Sequence, residues 1–186
     1  MDRRPPPVPG EVRTDARSAA ARPSGVPTDA RDDAVVSVPC GLCGASNRVP
    51  VARLDDRPHC GSCGSALLRG GVGAIAASRL ERALANCDLP VVVQATSERV
   101  PAERRHDAAF EALARELRGR ALVYRVDVER EPALLEALGI SAVPSAAVAL
   151  RGNVVSRLSG GLGRAELGEW LLLHTLDALH GERVGA

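Results

Sequence analysis

The pattern of apolar and polar positions changes twice along the chain. Residues 1–34 mix Pro, Arg, Asp, Ala and Ser with no apolar period. That composition predicts a disordered tail. From 35 to 69, short apolar pairs alternate with cysteines, glycines and arginines, and from Gly70 the pattern is that of an α/β domain. Leu80 and Leu84 stand at i and i+4 within Ser78–Asn86, which predicts a helix. Leu89–Val93 is a continuous apolar run of the buried-strand type. Pro101 suits the first turn of a second helix, which carries Phe110, Leu113, Ala114 and Leu117 on one face and ends near Gly119. Ala121–Asp127 predicts a second strand, and Pro132–Leu138 a short helix closed by Gly139. Ser145–Leu150 and Val154–Leu158 flank Gly152-Asn153, a two-residue hairpin signal. A last helix spans about Arg164 to His180. The order βαβαββα predicts a central mixed sheet with a parallel part, an antiparallel edge hairpin and helices on both faces.

The expected division is therefore a tail at 1–34, a small cysteine module at 35–69, an α/β domain at 70–181 and a short tail at 182–186. The last helix carries more apolar surface than one contact needs. At about 100° per residue, Leu167, Trp170, Leu171 and Ala178 share one side, while Leu172, Leu173, Leu176 and Leu179 fall largely on the other. One stripe can pack on the sheet. The second predicts self-association or a partner, unless the cysteine module folds back over it or it stays an exposed patch.

Four of the five cysteines, Cys40, Cys43, Cys60 and Cys63, form two C-x2-C pairs separated by sixteen residues. This spacing belongs to four-cysteine zinc sites. Two intervening residues let a tight turn aim both sulfurs at one ion, and the second pair closes the tetrahedron. Gly44 and Gly64 each follow a pair, where positive φ lets the backbone curl around the sulfur. Two disulfides or four unrelated thiols are the alternatives, and the cytoplasmic character of the chain argues against disulfides. A module this small has no core of its own, so one zinc ion would supply most of its folding free energy. Arg48, Arg53 and Arg57 lie between the pairs and could offset the charge of four thiolates. His59 adjoins Cys60 as a fallback ligand, but four cysteines already complete the shell. His106, His174 and His180 fall on predicted helices without a neighbouring nucleophile. Cys87, at the end of the first helix, reads as a half-buried core thiol or a one-cysteine redox site.

Charge and composition narrow the function classes. Formal net charge is +1, every basic residue other than histidine is arginine, and the aromatics are Phe110, Tyr124 and Trp170. There is no bulk electrostatic pull toward nucleic acid or membrane. The module lacks aromatics for base stacking, so nucleic-acid binding is the least favoured reading. No apolar run approaches a membrane span, and prolines follow Arg3 and Arg4 where a signal peptide would be apolar. The expected compartment is the cytoplasm. The run Gly70–Gly73 lacks the lysine and spacing of a phosphate-binding loop.

The order of elements, with I-S-A-V-P at Ile140–Pro144 before the edge hairpin, resembles thioredoxin. With a zinc ribbon directly in front, the chain is similar to the second bacterial thioredoxin type. The matching segments are V-P-C-G-L-C-G-A-S-N-R-V-P, C-G-S-C-G-S-A-L-L, D-L-P-V-V-V, V-D-V-E-R-E-P and G-I-S-A-V-P, over about residues 37–180. The resemblance implies a thioredoxin-like fold, a cis-proline at Pro144, and a client-binding edge at Val143, Pro144 and Ser145, where an extended segment adds as a strand.

The resemblance also marks a departure. Where the family carries Trp-Cys-Gly-Pro-Cys after the core strand, this chain reads Q-A-T-S-E-R-V-P-A-E-R-R. The alignment puts Val100 at the nucleophilic cysteine, Glu103 at the resolving cysteine and Gln94 at the buried acid. A thioredoxin needs a thiolate to attack a disulfide and a second thiol to resolve it. Valine and glutamate do neither, so a conventional dithiol reductase is not expected. The expected function is binding of client or partner proteins in redox homeostasis or proteostasis. The competing class is a thiol–disulfide oxidoreductase or oxidant-sensing holdase that uses the ribbon cysteines.

Overall fold

A computed structural model of the chain describes residues 34–97, 99, 104–160 and 164–181, the side chains of 104–106, 164 and 178–181 excepted. The N-terminal module is a two-stranded antiparallel ribbon, β1 (Val35–Pro39) and β2 (Ser46–Pro50), followed by a 3-10 segment at Val51–Asp56. The second unit runs β3 (Gly73–Ala74), α1 (Ala77–Asn86), β4 (Val91–Thr96), α2 (Arg104–Glu116), β5 (Leu122–Asp127), α3 (Pro132–Ala137), β6 (Ser145–Leu150), β7 (Asn153–Ser159) and α4 (Arg164–Gly181). Its sheet has the order β3-β5-β4-β6-β7, with β3, β5 and β4 parallel and β6 and β7 antiparallel. This is the thioredoxin-like fold expected from the sequence.

Three differences have local causes. The strand β3 was not expected, because Gly73 and Ala74 carry no apolar period and become a strand by pairing with Tyr124 and Arg125. The core strand starts at Val91, two residues beyond Leu89, and runs on through Gln94 to Thr96. The hairpin turn is Arg151-Gly152, not Gly152-Asn153. Both turn residues have positive φ (47° and 81°), and Asn153 already pairs with Leu150.

Alternation along the strands builds two cores, one on each face of the sheet. Val92, Val123, Ala146 and Val148 face α2 and α4, meeting Phe110, Leu113, Leu117, Leu167 and Leu171. Val91, Val93, Leu122, Tyr124 and Ala147 face α1 and α3, meeting Leu80, Ala83, Leu134 and Leu135. The ribbon joins this second face: Val38, Cys40, Val49, Cys60, Leu67 and Leu68 belong to the same cluster. The ribbon therefore does not cover α4, which packs on the opposite face.

On α4 the buried stripe is Leu167, Leu171 and Thr175. Trp170, placed on that stripe from the sequence, is half-buried, its ring 5.0 Å from that of His174. Leu173 is 53% exposed, Leu172 and Leu176 are half-buried, and the side chains of Ala178 and Leu179 lie outside the described residues. Among the described residues no helix is long and apolar enough to cross a membrane.

Candidate functional site

The ribbon brings its four cysteines together by repeating one turn. In the first knuckle the Cys40 amide donates to the Ala45 carbonyl (2.9 Å) and the Gly44 amide to the Cys40 carbonyl (2.8 Å). In the second, Cys60 donates to Ser65 (2.8 Å) and Gly64 to Cys60 (2.9 Å). Gly44 and Gly64 sit at φ 77° and 71°, where a side chain would be strained. The two knuckles face each other across the pair of turns, each presenting two sulfurs.

All four Sγ atoms lie within 4.8 Å of one another. Cys40 Sγ is 3.7 Å from Cys63 Sγ, and Cys43 Sγ is 3.6 Å from Cys60 Sγ. A tetrahedral ion with metal–sulfur bonds of about 2.3 Å sets its ligands about 3.8 Å apart. Disulfides would need about 2.05 Å. The donor set therefore fits a zinc ion, which when bound cross-links the two knuckles. His59 stands outside the cluster, its backbone bridged to Ala66.

Electrostatics point the same way. Burial disfavours a Cys40 thiolate, yet the Ser65 hydroxyl and the Cys43 and Leu42 amides outweigh it and bring the thiol down to about 6. Cys60 is also lowered, chiefly by the Cys63 and Ser62 amides. Cys43 moves oppositely: the Ala45 amide lowers it, but desolvation and the Cys63, Cys60 and Cys40 sulfurs push it up to about 11. Sulfurs this close cannot all carry charge unaided, and a divalent cation lets them do so.

Two residues that the spacing rule does not flag complete the centre. Ser65 Oγ lies 3.2 Å from both Cys40 Sγ and Cys63 Sγ, so its hydroxyl donates to a thiolate of either knuckle. Asn47 ties the knuckles together: its Nδ2 donates to the carbonyls of Val38 (3.2 Å) and Ala45 (2.9 Å), while its Oδ1 accepts from the Gly61 amide (2.9 Å). A short polar residue near a cysteine pair is the available signal, and it is weak.

The second location is the end of the core strand. Val100 and Glu103 lie outside the described residues. Gln94 is 2% exposed and closes a triangle with two charged side chains. Its Nε2 donates to Asp107 Oδ1 (2.9 Å), its Oε1 accepts from Arg125 Nε (3.3 Å), and Arg125 Nη2 stands 3.1 Å from Asp107 Oδ1. A neutral amide that both donates and accepts fits between those charges. Past the strand, Ser97 Oγ donates to Glu129 Oε1 (2.5 Å) and accepts from the Arg99 amide (3.1 Å).

Beside this end lies the Val143–Pro144 peptide bond, which is cis. Val143 and Pro144 are half-buried. Ser145, grouped with them from the sequence as a contact surface, is instead buried, its Oγ donating to the Ala142 carbonyl (2.5 Å) while its backbone pairs with Ala95 and Ser159. The Pro144 carbonyl accepts from Gly160 (2.9 Å), whereas the Val143 amide and carbonyl have no hydrogen-bond partner among the described residues. Cys87 is fully buried beneath the ribbon, and burial pushes its thiol up to about 12.

The cysteine module and the fold of the second unit both have counterparts among known proteins. The family model of the N-terminal zinc ribbon of thioredoxin 2 matches residues 39–65. Thioredoxin C-3 of Corynebacterium nephridii is 30% identical over 132 residues, covering 71% of this chain and 90% of that protein. Among solved structures, a single-site mutant of a thioredoxin from Halobacterium salinarum superposes with a TM-score of 0.50 at 20% identity, covering 57% of this chain and 92% of that one. The long form of spinach chloroplast thioredoxin f gives 0.51 at 20% identity, covering 57% and 88%. These two structures speak to the fold alone.

Proposed function

This chain belongs to the zinc-ribbon thioredoxins, and on that premise we propose that it binds extended segments of client or partner proteins without thiol chemistry in its thioredoxin-fold domain. The observation that carries this reading is the Val143 backbone beside the cis-Pro144 bond, whose amide and carbonyl have no hydrogen-bond partner among the described residues. An amide and a carbonyl at a strand end can pair with an incoming strand through main-chain hydrogen bonds, which needs no cysteine.

The cysteine inventory supports the same reading. Outside the ribbon the sequence has one cysteine, Cys87. Its thiol is buried and held far above the range in which a thiolate forms near neutral pH. Val100 and Glu103 replace the reactive pair in the alignment, and Gln94 is committed to Asp107 and Arg125. The ribbon holds one zinc ion per chain as a structural staple, in a reducing compartment such as the cytoplasm where its thiols stay available.

Two measurements test this reading. Insulin reduction with dithiothreitol as donor should run no faster with the protein than without it. Labelled, reduced and carboxymethylated insulin B chain should bind saturably, and Val143→Pro, which removes the amide donor, should abolish that binding. Catalytic turnover would overturn the reading, as would undiminished binding by the variant.

A further inference from the structure

The four ribbon sulfurs are chemically unequal. Cys40 and Cys60 are 2% and 3% exposed, whereas Cys43 and Cys63 face solvent. Of the exposed two, Cys63 has the Ser65 hydroxyl 3.2 Å away, and the same hydroxyl reaches Cys40 at 3.2 Å. Cys43 has no side-chain partner other than a cysteine among the described residues, its Sγ standing 3.6 Å from Cys60 Sγ. With zinc bound all four sulfurs would be thiolates; a hydrogen-bond donor then draws on the sulfur lone pair and blunts its attack, and burial blocks the approach of a reagent. Cys43 alone among the four combines exposure with the absence of a hydroxyl or amide side-chain donor.

We propose that Cys43 is the hydroperoxide-reactive sulfur of the ribbon, and that Cys43 and Cys60 form its first disulfide while Ser65 shields Cys40 and Cys63. The inference rests on the zinc-ribbon reading above. The Cys43 sulfur attacks one peroxide oxygen, the O–O bond breaks, and the departing hydroxide takes up a proton as water. The Cys60 sulfur then displaces hydroxide from the Cys43 sulfenic acid, forming the S–S bond, and that hydroxide also leaves as water. Two electrons pass from the sulfurs to the peroxide, which is reduced to two waters. The remaining Cys40–Cys63 pair is too small a donor set to retain a divalent ion.

The test treats the full zinc-loaded chain with substoichiometric hydrogen peroxide. Free thiols are blocked at intervals, disulfides are located by peptide fragmentation, and released zinc is followed by a chromophoric chelator. The Cys43–Cys60 link should appear about tenfold faster than the Cys40–Cys63 link, the effect of one charge-assisted hydrogen bond. Zinc release should follow the first link. Ser65→Ala should level the two rates, and Ser65→Thr, which keeps the hydroxyl, should restore the order. Should Ser65→Ala fail to fold, the order in the unmodified chain decides alone. Oxidation beginning at Cys63, equal rates at all four cysteines, or an unchanged order in Ser65→Ala would overturn the inference while the zinc ribbon stands. A purified chain without zinc would overturn the ribbon reading and the inference with it.

Discussion

Ser37 and Asp88 hold each other through main chain and side chain at once. The Ser37 amide donates to Asp88 Oδ2 (2.7 Å), and the Ser37 carbonyl accepts from the Asp88 amide (3.0 Å). Asp88 Oδ1 meanwhile accepts from Arg151 Nε (3.1 Å) in the hairpin turn. One residue thus joins the ribbon strand β1, the loop after α1 and the β6–β7 hairpin. Ribbon and sheet share a core, and Asp88 fastens its rim.

Removing that carboxylate takes the acceptor from the Ser37 amide and breaks the ion pair between Asp88 and Arg151. Asp88→Ala should lower the unfolding free energy of the zinc-loaded chain by about 1–3 kcal/mol. Urea titration measures it. A change within about 0.5 kcal/mol, typical of an ordinary surface position, would mean that the clasp carries no stability.

Gly41 lies inside the first knuckle and against the Tyr124 ring. A Cβ there would stand 3.1 Å from Tyr124 Oη and 3.3 Å from Cε1. Gly41→Ala should therefore destabilise by about 1–3 kcal/mol through overpacking. Tyr124→Phe removes the nearest atom, so the double variant should recover part of that loss. Strict additivity of the two changes in thermal or urea unfolding would show that the ring and the knuckle are not in conflict.

The four-cysteine cluster was the most legible part of the sequence, because each knuckle is local. Two residues between cysteines and a glycine after them fix the turn wherever it occurs. The succession of elements from the core strand onward was legible for a similar reason, since β4 and β6 are apolar runs and the helices carry their own periodicity. What escaped depends on partners far along the chain. Gly73-Ala74 is a strand only against β5. Asn47 matters because Gly61 of the other knuckle donates to it. The docking of the ribbon on the face of α1 and α3 rests on residues such as Val38 and Leu68, whose neighbours no spacing rule reveals. Arg151 took the left-handed position in the hairpin because Asn153 was drawn into the ladder opposite Leu150.

Thr175 Oγ1 is fully buried and has no hydrogen-bond partner among the described residues. Thr175→Val keeps the shape and removes the uncompensated hydroxyl. It should raise stability by about 1 kcal/mol in urea unfolding. A loss of stability would reveal a partner for that oxygen.

Cys87 makes stability depend on pH in the alkaline range. Burial raises its thiol from an ordinary 9.0 to about 12 in the folded chain. Below pH 9 the thiol is neutral in both states and contributes no slope. Between about 9 and 12 the unfolded chain loses the proton and the folded chain keeps it, so stability falls as pH rises. The slope approaches about 1.4 kcal/mol per pH unit. Cys87→Ala should flatten the urea midpoint between pH 9 and 11 relative to the unmodified chain, whatever its own stability at pH 7. Parallel slopes in the two proteins would show that Cys87 is not the titrating group.

Leu173 is 53% exposed on α4, with Leu172 and Leu176 half-buried beside it. The ribbon lies across the opposite face of the sheet, so it leaves this stripe uncovered. Self-association through α4 is the expected outcome, since a row of leucines gains from leaving water. Sedimentation should show a concentration-dependent dimer. Leu173→Glu should give a monomer with the far-ultraviolet dichroism and urea midpoint of the parent, because the side chain contributes little to the core. A parent chain that stays monomeric at high concentration would remove α4 as an interface. The stripe would then be exposed apolar surface with no copy of the chain to cover it.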